Sequence, residues 1–151
     1  MNSLKIILIF FTPMFCSCQK KDVNKILAEK FISTLIQDQK INEIQSFLKI
    51  DSLTSEKMEF NLKRVIEINV AFLRSNLKIC STNYEIIKHS EIKNEFLKEY
   101  MLEYEYPENV YYVTCKNKIL THIIVRNNKV VSFFSKLKKT EEQKFIPWIL
   151  D

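Results

Sequence analysis

The chain contains no glycine, whereas average usage is about 7%. Turns that need positive φ must therefore be made by other residues, and asparagine tolerates that region best among them. The same absence removes three functional devices together. The dinucleotide fingerprint, the phosphate-binding loop and the nucleophile elbow all need glycine where the backbone bends sharply or approaches a ligand. Most glycine-dependent nucleotide and acyl-transfer sites are thereby excluded. The 151 residues are 46% hydrophobic and 27% charged, a globular composition of about one domain's length.

The first eighteen residues form a separate unit. Lys5 precedes the apolar run Ile6-Ile7-Leu8-Ile9-Phe10-Phe11, which extends to Phe15 and is followed by the small residue Ser17 and by Cys18. This order is that of a secretory signal peptide. The apolar stretch is about half the roughly twenty residues that a permanent transmembrane helix needs.

At Phe15-Cys16-Ser17-Cys18 the sequence resembles the lipobox of bacterial lipoproteins. In that family a cysteine receives a diacylglyceryl thioether, the preceding peptide is removed and the new amino end is acylated. Cys18 fits better than Cys16, which bulky Phe15 precedes; Phe15 itself stands where the family usually has leucine. The resemblance implies a signal peptide over residues 1–17, a lipidated Cys18 with a short tether over 18–22, and a single domain over 23–151. It implies a membrane partner through the lipid anchor, in the cell envelope, facing the periplasm or the exterior. Two or more acyl chains hold a protein stably, since each buried methylene contributes about 0.8 kcal/mol. Loss of residues 1–17 takes Lys5 from a formal net charge of +5, leaving the mature chain mildly basic.

Cys80 and Cys115 then remain in a compartment where disulfides persist. They suit either a bridge, worth roughly 4 kcal/mol for a loop of about 35 residues, or two small buried apolar residues. Together with the distant His89 and His122 they lack the ligand spacing of a structural zinc site. No metal and no cofactor is expected.

Beyond the tether, Val23, Ile26, Leu27, Phe31, Leu35 and Ile36 recur at three- and four-residue spacing, which predicts a helix capped by Asp22. A second short helix is predicted over Ile41 to Leu48. A third runs from about Ser55 to Ser75, with Thr54 as its N-cap. After Cys80 the period changes to two. Phe96 to Tyr106 reads as a strand, or as a helix up to Leu102, and Asn83 to Lys88 reads as another strand. Val110 to Cys115, Ile119 to Arg126 and Val130 to Leu137 read as strands joined by turns at Lys116-Asn117-Lys118 and Asn127-Asn128. Phe145-Ile146-Pro147-Trp148-Ile149-Leu150 should dock on the body, with Pro147 opposing a long final helix.

These elements predict an α+β domain, with two or three N-terminal helices packed on a curved antiparallel sheet of four or five strands. Their order resembles the NTF2-like (cystatin-like) fold, which implies a sheet wrapped around a long helix and a pocket on the concave side. Members include enzymes, binding modules and dimerisation units, so the resemblance does not choose a function.

Tyr100, Tyr104, Tyr112 and Phe134 are the candidate pocket aromatics for a small apolar or sugar ligand; aromatic residues are also what strands and cores use. His122, sharing its strand face with Leu120 and Ile124, is the candidate catalytic residue, but no acid adjoins it in sequence to orient it as a general base. His89 lies in a polar segment and reads as an exposed loop residue. Glu99, Glu103 and Glu105 read as the wet side of a sheet. Lys116, Lys118, Arg126, Lys129, Lys136, Lys138 and Lys139 provide solubility and blunt the sheet edges, or meet anionic headgroups. Nucleic acid is not expected as a partner. The leading reading is a lipid-anchored, non-catalytic envelope protein that binds a ligand or a protein partner. Its rivals are an NTF2-like hydrolase or isomerase using His122, and an inhibitor or immunity-type lipoprotein.

Overall fold

The computed structural model describes residues 22–50, 56–80, 83–93, 95–98, 100–134, 138–139 and 144–150. The segment that resembles a lipobox, the expected cap Thr54, Glu99 and Lys136 lie outside them. Helix α1 (Val23–Ile36) starts at Asp22, whose carboxylate accepts the Lys25 amide at 3.0 Å as an N-cap. Its Ala28, Phe31, Ile32 and Leu35 are fully buried. Helix α2 (Ile41–Gln45) is a single short segment. Helix α3 (Glu56–Cys80) runs past the expected end at Ser75. Its buried positions Ile66, Val70, Leu73, Leu77 and Cys80 continue the three- and four-residue step to the last turn.

Arg74 locks α3 to the end of α1. Its guanidinium donates to Leu35 O at 3.1 Å and to Gln39 O, and pairs with Asp38 at 3.0 Å. The Leu35 carbonyl at the end of α1 and the Gln39 carbonyl just beyond it thus meet a planar cation with several donors.

Strands β1 (Tyr84–Lys88), β2 (Val110–Cys115), β3 (Lys118–Arg126) and β4 (Lys129–Ser132) form one antiparallel sheet in that order. The domain is therefore α+β, with helices on a four-stranded antiparallel sheet. Without glycine, the β2–β3 turn places Lys116 and Asn117 at φ 48° and 62°, and the β3–β4 turn places Asn127 and Asn128 at φ 50° and 58°. Both are two-residue connections of the kind whose twist suits a hairpin.

All six residues of β2 are buried, so both faces of the sheet are covered. Tyr111, Val113, Ile123, Val125 and Val130 pack with the helices. Tyr112, Val110, Ile124 and Val131 pack with Ile92, Leu102 and Ile149 on the other side.

Here the structure departs from the expected strand over Phe96 to Tyr106. A short helix α4 (Glu95–Lys98) is followed by irregular chain. The Leu102 amide donates to the Tyr112 hydroxyl at 2.8 Å and the Glu103 amide to Phe145 O at 2.9 Å. A side chain and the C-terminal tail satisfy these donors in place of a ladder. Tyr100 and Tyr106 are 42% and 41% exposed while Leu102 is 4% exposed, so the even positions do not share one buried face. Glu103 and Glu105 are exposed, as expected of wet residues, but on no strand; Glu103 pairs with Lys144 at 3.2 Å. The tail docks through Leu150, which is buried and donates its amide to Val131 O at 2.7 Å. Two short strands, β5 (Lys138–Lys139) and β6 (Phe145–Ile146), pair with each other.

Cys80 and Cys115 form a disulfide with Cα atoms 6.1 Å apart, tying the end of α3 to the end of β2. Closing its 35-residue span removes unfolded-state entropy worth about 4 kcal/mol.

Asp22 also joins the helix to the sheet. Its carboxylate accepts from Tyr111 Oη and Lys88 Nζ, each at 2.9 Å. Burial opposes its ionisation, but the hydrogen bonds from Lys88, the Lys25 amide and Tyr111 outweigh that, and the carboxyl titrates below its ordinary value. This contribution is complete above the ordinary value and is lost as pH falls through the lower folded one. Asp22→Ala should lower unfolding free energy by about 2 kcal/mol, measured by urea titration. By contrast, Lys116→Gly should raise it by roughly 0.5–1 kcal/mol, because a left-handed backbone is unfavourable for any residue with a Cβ.

Candidate functional site

A β-bulge decides where His122 points. Val113 pairs with Thr121 and Thr114 with Ile119, leaving Leu120 as the extra residue on β3. The Leu120 and Thr121 side chains therefore turn to the helix side, though both residues still border the cavity described below, and His122 turns to the opposite side with Ile124. The expected sharing of a face between His122 and Leu120 is corrected: strict alternation holds only from Thr121 onward. A second irregularity, in the β3–β4 pairing, has Ile124 opposite Ser132 and Val125 opposite Val130, with Val131 extra. It brings Ser132 onto the face that carries His122.

There His122 Nε2 lies 2.9 Å from Ser132 Oγ, and Ser132 Oγ donates to Trp148 O at 2.6 Å. A carbonyl only accepts, so the single hydroxyl proton of Ser132 goes to Trp148. The imidazole must then donate through Nε2–H, which places its lone pair on Nδ1. Burial holds the ring neutral, pushing its pKa from 6.5 down to about 3. Ser132 is fully buried and its proton points away from the imidazole. The pair is therefore not arranged as a nucleophile and its base. The sequence reading missed Ser132, since only register could reveal it.

His122, Tyr100, Tyr112, Ile119, Leu120, Thr121 and Phe145 line a cavity of about 200 Å³. Tyr100 and Phe145 form one wall, their rings stacked at 6.0 Å. Tyr112 Oη accepts the Leu102 amide at 2.8 Å and contacts His89 Nδ1 at 3.2 Å. Burial first, against the lowering effect of the Leu102 amide, pushes this phenol up to about 12, so it stays protonated and donates to His89. His89 is thus half-buried and partnered, where an exposed loop residue was expected; burial lowers its pKa as well.

Of the four candidate pocket aromatics, Tyr100 and Tyr112 line this cavity. Tyr104 does not line it and belongs to the apolar cluster that holds Tyr112. Phe134 belongs to the helix-side core, stacked between Phe133 and Trp148 with centroids 4.8 Å from each. Among the described residues no carboxylate lines the cavity. A wider depression of about 350 Å³ lies beside β1 and is lined by Glu85, Ile87, Glu91, Lys93 and Asn117 among others. None of the candidate aromatics or histidines reaches it. Among the described residues no group of three His, Cys, Asp or Glu is placed to hold a metal ion. No helix among them is long and apolar enough to cross a membrane.

The chain matches no protein-family model, no curated protein and no solved structure.

The buried imidazole predicts a pH dependence. The unfolded chain binds a proton near pH 6.5 that the folded one refuses down to about 3. Stability is therefore complete above 6.5 and falls by about 1.4 kcal/mol for each pH unit below it. His122→Gln, which retains an N–H donor but does not titrate, should flatten this slope by about one proton in urea titrations between pH 6.5 and 4.

Proposed function

We propose that this chain is a lipid-anchored protein of the cell envelope whose single α+β domain is a non-catalytic binding module. The observation that carries the reading is the Cys80–Cys115 disulfide, buried at the junction of α3 and β2. A structural disulfide forms and persists where the compartment is oxidising, which suits a chain that opens on an apolar export segment and Cys18.

The start of the fold suits such an anchor. Asp22 is fixed by Lys25, Lys88 and Tyr111, and only Gln19, Lys20 and Lys21 separate it from Cys18. Fully extended, that tether reaches roughly 14 Å, so the domain would ride at the headgroup surface. The non-catalytic part of the reading rests on His122, whose partners are a hydroxyl and, through it, a carbonyl. A general base needs its lone pair beside a proton to abstract and a group that stabilises the resulting imidazolium. This ring has neither a carboxylate partner nor a charged form that the surroundings favour.

Metabolic labelling with a radioactive fatty acid tests the anchor. Label should enter the wild-type protein and be lost in Cys18→Ala, with the protein moving from the detergent phase to the aqueous phase. Label that persists in Cys18→Ala would contradict the proposal.

A further inference from the structure

We propose that the cavity over His122 binds a small neutral ligand with one aromatic ring and one hydroxyl, a phenol or a benzylic alcohol. The inference deepens the binding-module reading above by naming a ligand class for its site. Its size sets the first limit: at about 200 Å³ the cavity exceeds the roughly 150 Å³ that holds a benzene ring in an apolar protein interior. It remains below the range of about 300–1,000 Å³ usual for larger ligands.

Chemistry sets the second limit. Among the described residues the lining is aromatic and aliphatic apart from Thr121 and His122, with no charged side chain, so an ion entering it would be desolvated without a partner among them. Thr121 gives its proton to Phe133 O at 2.7 Å on the helix side. The Tyr112 hydroxyl already serves the Leu102 amide and His89. A sugar would bring several hydroxyls that these two residues do not satisfy.

His122 supplies the acceptor. Nε2 donates to Ser132, and Nδ1 makes no hydrogen bond among the described residues. The ring that carries this lone pair is among those lining the cavity. A neutral ring with a bare lone pair in an apolar, aromatic cavity selects a ligand that donates one hydrogen bond. The aromatic body packs against Tyr112, Phe145 and Ile119, and Tyr100, 42% exposed, stands at the rim where the ligand enters.

The test uses the full chain in detergent, labelled with ¹⁵N-histidine, and p-cresol against toluene, which has a similar shape but lacks the hydroxyl. Ligand concentrations are referred to the free aqueous phase. The protein has only two histidines, and His122→Gln identifies their signals. We expect p-cresol to saturate the protein and to move the His122 Nδ1 resonance away from its unprotonated position. Toluene should bind roughly 2- to 10-fold more weakly, the worth of one hydrogen bond, and leave that resonance in place. In Ile119→Trp, whose indole fills the cavity, p-cresol binding should disappear while the far-ultraviolet circular dichroism is unchanged. The inference is overturned if p-cresol does not bind, binds no tighter than toluene, or leaves the Nδ1 resonance unmoved. It is also overturned if a folded Ile119→Trp still binds p-cresol; should that variant not fold, the wild-type comparison decides alone. Fatty-acid labelling of the same preparation reads the anchor independently, so failure of cavity binding and failure of lipidation are separate results.

Discussion

A sheet that is apolar on both faces has to be covered twice, and most of this architecture follows from that requirement. Strand β2 is buried along its whole length, with Tyr111 and Val113 facing the helices and Val110 and Tyr112 facing away. Helices α1 and α3 cover the first face with large apolar side chains at regular spacing. Among the described residues no helix of comparable length packs on the second face. Ile92, Met101, Leu102 and Tyr104, with Phe145 and Ile149 of the tail, pack on it instead. Irregular cover leaves backbone donors to satisfy, so the Tyr112 hydroxyl and the Phe145 carbonyl take the Leu102 and Glu103 amides. The cavity over His122 lies between Tyr100 and Phe145 of this cover and the sheet.

The second constraint is at the entry to the fold. Asp22 caps α1, accepts from Tyr111 on β2 and pairs with Lys88 on β1. One carboxylate thus fixes the orientation of the first helix relative to the sheet. The Tyr111 hydroxyl is in turn held protonated, first by burial and then by that carboxylate. Under the proposed anchoring, the same residue limits how far the cavity can stand from the membrane. A ligand of the class inferred here, small and moderately apolar, would be enriched in that interfacial layer.

Much of the framework was legible before any coordinates. The step of three and four from Val23 to Ile36 marked α1, Asp22 marked its cap, and the Asn127-Asn128 pair marked a hairpin, because each depends on neighbours close in sequence. The segment around Leu102 was misread because alternation is only a local signal. Whether a two-residue period becomes a strand depends on a free sheet edge, and here the amides found Tyr112 and Phe145. His122 was noticed as a candidate, but its partner was not, since Ser132 lies on a different strand and reaches it only through a shift in register.

The sequence by itself determined that an apolar run precedes Cys18, that turns would be made without glycine, and that helices precede an antiparallel meander. These properties reside in composition and short-range periodicity. Tertiary structure alone decided that Leu120 and Val131 are extra residues in their ladders, that Cys80 meets Cys115, and that His122 lines an aromatic cavity. The reason is geometric: one inserted residue reverses every side chain beyond it, and the pairing that selects the insertion is made by strands whose register no local pattern records.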